Sequence, residues 1–146
     1  CLAVAGEFRM AIGTGHISPA ESIAVAEAAK DYGIDEIFFQ HPDSNSVAAS
    51  RDEILEMASR GAVIELCALG LLPPLQRIKP AWMVEVIEAV GADQCVLTTD
   101  TFFEWAPPAA ETLRMTARIL VSMGVPEDTI RVLVRDVPRR LLHLDT

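Results

Sequence analysis

The sequence predicts an α/β fold with a parallel sheet, and three observations lead to this prediction. Short apolar runs typical of buried strands begin near residues 10, 36, 62 and 94. This spacing is close to the roughly 30 residues of a βαβ repeat. A segment with helical capping and periodicity follows each run, and such alternation gives a parallel sheet with right-handed crossovers. We therefore expect four consecutive βα units, equivalent to half of a (β/α)8 barrel. The alternative is a small open doubly wound sheet.

The strands are predicted from runs of apolar and β-branched residues. They cover Met10–Gly15, Ile34–Gln40, Ala62–Leu69 and Gln94–Thr99. The last run, QCVLTTD, is apolar enough to be covered on both faces, as in a parallel sheet.

The helices are predicted from caps and spacing. Ser18 with Glu21 and Ser50 with Glu53 are capping boxes, and glycines follow the predicted helices as stop signals. In the first of these helices, Ile23, Ala24, Ala28 and Tyr32 are expected on one face. The predicted helices span 18–32, 51–60, 80–90, 108–123, 127–134 and 137–144.

Composition excludes some classes of protein. The net charge is −9 with no basic patch interleaved with aromatics, so we expect no nucleic-acid partner. No apolar run reaches the length of a membrane span. The cysteines Cys1, Cys67 and Cys95 indicate reduced thiols in a cytoplasmic protein, and none lies in a CxxC pair. The opening stretch CLAVAGEFRM is typical of a helix cut in mid-course. Residues 1–146 are therefore expected to be a single α/β domain from a larger protein.

Three polar side chains follow the predicted strands. His16 comes after the first strand, His41 after the second and Asp100 after the fourth. Parallel α/β proteins gather their chemistry at the carboxyl ends of strands. Imidazole and carboxylate suit zinc, manganese or iron, and an aspartate beside such an ion can act as general base. These residues therefore predict a metal site.

Each candidate has a plainer interpretation. His16 can lead the next helix, in a Gly-rich turn that could instead hold phosphate. His41 can shape its loop, and Asp100 can cap a helix or form an ion pair. Glu65, inside the third strand, can support the site or form a buried ion pair.

The remaining candidates lie in loops and at the C-terminus. Phe102, Phe103 and Trp105 can wall a substrate pocket or anchor their loop to the core. Asp43 is expected to cap a turn. His143 is expected to be a surface or packing residue.

The motifs TGHIS, FFQHPD and VLTTD, in this order and spacing, resemble the C-terminal half of the amidohydrolase superfamily. These are metal-dependent hydrolases on a TIM barrel, and an uncharacterised bacterial group of barrel metal hydrolases is the nearest resemblance. The resemblance implies that His16, His41 and Asp100 are metal ligands, with Asp100 also the proton acceptor. If only one metal binds, His41 is expected instead to act in catalysis as an electrostatic stabiliser. Asp136-Val137-Pro138 stands where these enzymes carry an asparagine-proline helix.

The resemblance implies a hydrolase in which metal-activated water attacks an amide, ester or lactone-like bond of a small molecule. Zinc is the expected ion. A metal-dependent lyase or decarboxylase on the same fold is an alternative, and a non-catalytic domain for small-molecule binding, phosphate binding or assembly is another. The HxH pair of the superfamily's first strand is absent from this sequence. A half-barrel also leaves open strand edges and an apolar inner face. We therefore expect association with a missing half-barrel or a homo-oligomer.

Overall fold

The computed structural model describes residues 1–144 and shows an α/β fold. Its sheet has four strands, all parallel, in the order β1-β2-β3-β4. The fold class predicted from the sequence is thus confirmed. Because the strand order follows the chain without reversal, the sheet lacks the switch point of a doubly wound sheet. The strands are β1 (Ile12–Gly13), β2 (Ile37–Phe39), β3 (Val63–Cys67) and β4 (Cys95–Thr98).

Seven α-helices accompany the strands in the described part of the chain. A short 3₁₀ helix follows β3 (Ala68–Leu71), and another precedes β4 (Ala92–Gln94). No helix within residues 1–144 combines the length and apolar character needed to cross a membrane. The α-helices are α1 (Leu2–Glu7), α2 (Pro19–Lys30), α3 (Arg51–Ser59), α4 (Pro80–Val90), α5 (Ala109–Ser122), α6 (Glu127–Arg131) and α7 (Val137–Leu141).

Both predicted capping boxes are present. The Ser18 and Ser50 side chains accept from the backbone N–H groups of Glu21 and Glu53, whose carboxylates reach back to the caps. The face predicted for α2 is observed only in part, because Ile23 packs against the core while partly buried. Ser22, Ala26 and Ala29 are buried, and Tyr32 is half exposed. Alanines are spread around this helix, at positions 20, 24, 26, 28 and 29, so hydrophobicity alone does not define its inner face.

One face of the sheet packs against α2, α3, α4 and α5. The largest side chains of this core include Phe39 and Leu66 from the strands, Met57 and Met83 from the helices, and Leu120 from α5. All five are fully buried. Sequential parallel strands with right-handed crossovers place their connecting helices on a single face, which accounts for this layer.

The opposite face of the sheet is covered near the amino ends of the strands. Val63 of β3 and Val96 of β4 pack with Val137 and Leu141 of α7. The expectation of an exposed apolar inner face is therefore wrong for these valines. The C-terminal helices return across the sheet and remove them from water, which is favourable for apolar side chains.

A π-helical turn, Val132–Asp136, lies between α6 and α7. The N–H of Val137 bonds the carbonyl of Val132, five residues earlier. The next residue, Pro138, has no N–H to donate, so a regular α-helix cannot continue through this point. The two helices predicted over 127–144 are thus one nearly continuous helical segment in this structure.

Candidate functional site

The three predicted ligands lie where the sequence places them, just beyond the carboxyl ends of strands. Two of them have an unusual backbone: φ is 26° at His41 and 51° at Asp100. Non-glycine residues seldom adopt positive φ, and such conformations cluster at functional sites. The strands β2 and β4 thus end in a sharp change of chain direction at both residues.

The structure brings His16 and His41 together. Gly13 of β1 pairs with Phe38 of β2, and each histidine lies just beyond its strand, at the same end of these two neighbours. Their imidazole rings stack, with centroids 4.4 Å apart and planes at 14°. His16 is exposed, whereas His41 is 7% exposed. Nδ1 of His41 is buried and has no hydrogen-bond partner among the described residues.

Asp100 does not join this pair in a three-ligand group. Its strand is separated from β2 by β3, which corresponds to about 10 Å at the usual strand spacing. Its side chain is exposed. Within residues 1–144, no three His, Cys, Asp or Glu side chains are arranged to hold a metal ion.

Asp100 neither caps a helix nor forms an ion pair in the described part of the chain. The helix that follows, α5, has Pro108 at its N-cap. The ion pairs formed within residues 1–144 do not include Asp100. The carboxylate is therefore available to solvent at the edge that carries both histidines.

The Gly-rich turn before His16 is closed by Gln40. The Gly15 N–H donates to Gln40 Oε1 over 2.8 Å, and the Gln40 N–H donates to Thr14 Oγ1 over 3.3 Å. Gly15 has a φ of 64°, which glycine adopts without strain. Gly13 lies directly under the Gln40 amide, where a Cβ would overlap that side chain and the Phe38 ring. The two glycines let Gln40 connect β1 to β2.

Glu65 bridges two strand ends. It projects from β3 and is 8% exposed. One oxygen accepts the His41 backbone N–H at 2.8 Å, and the other accepts the Thr98 hydroxyl at 2.9 Å. Glu65 is thus held by hydrogen bonds, and not by the buried ion pair that was the alternative expectation from the sequence.

Cys67 lies on the same face of β3 as Glu65 and is fully buried. Burial, with the nearby carboxylates of Glu65 and Asp100, raises the pKa of Cys67 to about 12. The Thr98 hydroxyl opposes this rise, with its oxygen 3.7 Å from the sulfur. Cys67 is therefore a neutral thiol, which is a poor nucleophile and a poor metal ligand.

Asp43, in the loop after His41, forms an ion pair that the sequence did not indicate. Its carboxylate lies 2.8 Å from Arg77 Nε, and its side chain is 1% exposed. Burial raises the pKa of Asp43 above its ordinary value, and Arg77 opposes that rise. Arg77 also donates to the Asp43 carbonyl, and its backbone N–H donates to the Gly70 carbonyl. These contacts join the loop after β2 to the loop after β3.

The aromatic residues after Asp100 stack on one another. Phe103 lies between Phe102 and Trp105, with ring centroids 4.1 Å and 4.9 Å away. Phe102 is 71% and Trp105 50% exposed. None of the three belongs to the buried core clusters, so they do not anchor their loop to the core.

Gln40 and Thr98 were not recognised as site residues from the sequence. The register between β3 and β4 shows why Thr98 belongs to the site: Cys67 faces Thr98, and Glu65 faces Val96. Residues two apart on a strand share a face, so Glu65, Cys67, Val96 and Thr98 lie together. Alternation along a strand predicts which of its residues share a face of the sheet. Only the pairing of two strands shows which residues of one lie beside which residues of the other.

His143, the third histidine, lies at the opposite end of the sheet. It lines a small cavity with Arg9, Met10 and residues 33–36, which precede β1 and β2. It therefore has no place in the candidate site.

Comparison with known proteins gives a partial match. Residues 1–65 match the family DUF6282, which is described as a family of unknown function. The matched segment ends at Glu65 and includes His16 and His41, but it does not reach Asp100. No curated protein and no solved structure matches the chain.

Proposed function

We propose that this chain supplies part of the site of a metal-dependent hydrolase, with His16 and His41 as ligands to a divalent cation. The adjacency of the two histidines at the carboxyl ends of β1 and β2 carries the proposal. Because imidazole lone pairs lie in the ring plane, the parallel rings would turn out of their stack to bind one ion. Neutral imidazole nitrogens are common ligands of zinc, which we take as the first candidate, with manganese and iron as alternatives. The resemblance of the three strand-end motifs to amidohydrolases supports the same assignment.

The chemistry of the pair fits a cation. Nδ1 of His41 is buried without a partner in the described part of the chain, and such an atom costs about 1–3 kcal/mol when it stays unsatisfied. A ligand at this atom would remove that cost. His16 is exposed beside it, so the pair is open to solvent on one side.

A divalent cation would supply Lewis-acid activation of a water molecule and of the substrate carbonyl. Asp100 would accept the proton of that water as general base. If only one metal binds, His41, the more buried of the two histidines, would instead act as an electrostatic stabiliser of developing negative charge. The proposed substrate is a small molecule with an amide, ester or lactone-like bond. The exposed Phe102 and Trp105 rings flank the same edge and offer it an apolar surface.

Two histidines are too few for a typical catalytic zinc site, which takes three protein ligands. We therefore propose that further ligands come from another polypeptide, either the other half of a barrel or a second copy of this chain. An open groove of about 670 Å³ at the β1 edge supports association, because its lining is almost wholly apolar. It is formed by Cys1, Leu2, Val4, Ala5, Met10, Ile12 and Val25.

The phosphate-binding alternative has less support. A phosphate cradle needs free backbone N–H groups or cations, yet the Gly15 N–H donates to Gln40. Arg77, a cation at the same end of the sheet, is paired with Asp43. The Gly15 N–H and the Arg77 guanidinium are thus already engaged.

The test is metal content and affinity. The purified chain is stripped with chelator, titrated with zinc by calorimetry, and assayed for bound metal by elemental analysis. We expect zinc binding that falls at least tenfold in His16→Ala and in His41→Ala. His143→Ala is the matched control and should bind as the wild type does. Equal binding by all four proteins would overturn the proposal, and so would no binding by the wild type, whether alone, as an oligomer or within the complete barrel protein.

A further inference from the structure

Glu65 is the one acidic residue of β3, a strand whose five residues are all buried. Burying a carboxylate is costly unless hydrogen bonds replace its water. Here each oxygen has its own donor, the His41 N–H at 2.8 Å and the Thr98 hydroxyl at 2.9 Å. The side chain thus spans from β2 to β4 across the middle of the candidate site.

The donor at His41 is the residue with the unusual backbone. β2 ends at Phe39, so the His41 N–H lies beyond the strand pairing that would otherwise satisfy it. Its φ of 26° is a strained conformation that persists only when surrounding contacts hold it. A carboxylate acceptor makes a stronger hydrogen bond than a neutral one. Glu65 therefore supplies a strong contact at the point where the chain is strained.

We propose that Glu65 is a positioning residue: by holding the His41 backbone at positive φ, it keeps the His41 ring stacked on His16. His41 makes both contacts: its ring stacks on the His16 ring, and its backbone N–H donates to the Glu65 carboxylate. Loss of the carboxylate would let the backbone relax and the ring leave His16. The consequence for cation binding rests on the proposed function, whereas the consequence for ring geometry does not.

The experiment uses four variants and NMR. Glu65→Leu removes the acceptor, and Glu65→Asp keeps the charge but shortens the reach by one methylene. Glu65→Gln keeps an oxygen for the His41 N–H, and its NH₂ can donate to Thr98 instead. Glu88→Gln, at an exposed position of α4, is the control. Hydrogen exchange of the His41 amide and the nuclear Overhauser contact between the His16 and His41 rings are recorded.

We expect exchange at His41 to be faster by about tenfold or more in the Leu and Asp variants, with loss of the ring contact. The Gln variant should keep the ring contact, and the control should match the wild type. If Glu65→Leu fails to fold, the Asp and Gln variants carry the comparison. Wild-type protection and ring contact in Glu65→Asp would overturn the proposal.

Zinc titration of the same variants separates this inference from the proposed function. Supporting residues of metal sites typically change affinity by about 10- to 100-fold. We expect a loss in that range for Glu65→Asp, in parallel with the lost ring contact. If the ring contact is lost but the wild type binds no zinc, the proposed function fails and the positioning role stands. If the ring contact persists in Glu65→Asp, the positioning role fails whatever zinc does.

Discussion

Gly13→Ala tests how the Gly-rich turn is built. Gly13 lies on the face of β1 that the Gln40 side chain covers. A Cβ there would overlap both the Gln40 amide and the Phe38 ring. Because Gln40 also accepts the Gly15 N–H at 2.8 Å, any movement that relieves the overlap weakens this bond. The substitution should therefore loosen the turn that leads to His16.

The expected cost combines three effects. Forcing extra volume into a packed site costs about 1–3 kcal/mol. A weakened hydrogen bond adds about 1 kcal/mol. Alanine reduces the freedom of the unfolded chain, which offsets about 0.4–1 kcal/mol. The net destabilisation is about 2 kcal/mol, which lowers Tm by roughly 4–8 °C for a domain of this size.

The assay is denaturant unfolding of four proteins: wild type, Gly13→Ala, Gln40→Ala and the double variant. If Gln40 is the obstacle, Gly13→Ala costs less in the Gln40→Ala background. A coupling of about 0.5–1.5 kcal/mol is expected, since neighbouring residues that share a contact are not additive. The Phe38 ring remains in place, so rescue is partial. A Gly13→Ala cost below about 0.5 kcal/mol, or the same cost in both backgrounds, would refute the reasoning.

Two further predictions concern the inner face and the thiols. Leu141→Ala should lower the free energy of unfolding by about 2 kcal/mol, because this side chain is buried on Val63 and Val96. Leu142→Ala is the matched control, since that neighbour is 65% exposed; equal effects in denaturant unfolding would contradict the packing. Thiol labelling at pH 8 should modify exposed Cys1 alone. Cys67 and Cys95 are buried, and burial raises the pKa of each to about 12, which leaves roughly one thiolate in ten thousand. Mass spectrometry should show one label in the native state and three in denaturant; three labels in the native state would show that the strands open readily.

Much of the fold could be predicted from the sequence because its signals are local. The capping boxes at Ser18 and Ser50 depend on residues three positions apart, and both are present. Helix α4 spans Pro80–Val90, as its proline and glycine boundaries predict. The strands are shorter than predicted. The third, for example, ends at Cys67, and Ala68–Leu71 turns into a 3₁₀ helix. The apolar run in the sequence continues past the last residue that pairs with a neighbouring strand.

The candidate site was predicted only as a set of strand-end residues. That His16 and His41 follow adjacent parallel strands is enough to bring them close, and their rings do stack. A supporting role for Glu65 was one of two expectations, but the hydrogen bonds that link the histidines to the rest of the edge were not predicted. Glu65 reaches His41 and Thr98, which are 24 and 33 residues away along the chain. The Asp43–Arg77 pair likewise joins residues of two separate loops.

The sequence by itself determined the alternation of elements, the parallel sheet and the edge at which His16, His41 and Asp100 lie. These follow from caps, apolar runs and chain order, which act over a few residues. Tertiary structure alone decided the strand register, the strained backbone at His41 and Asp100, and the return of the C-terminal helices over Val63 and Val96. Each of these depends on contacts between residues far apart in the chain, whose geometry no local pattern encodes. For that reason the sequence points to three ligands, while the structure pairs two of them and leaves Asp100 apart.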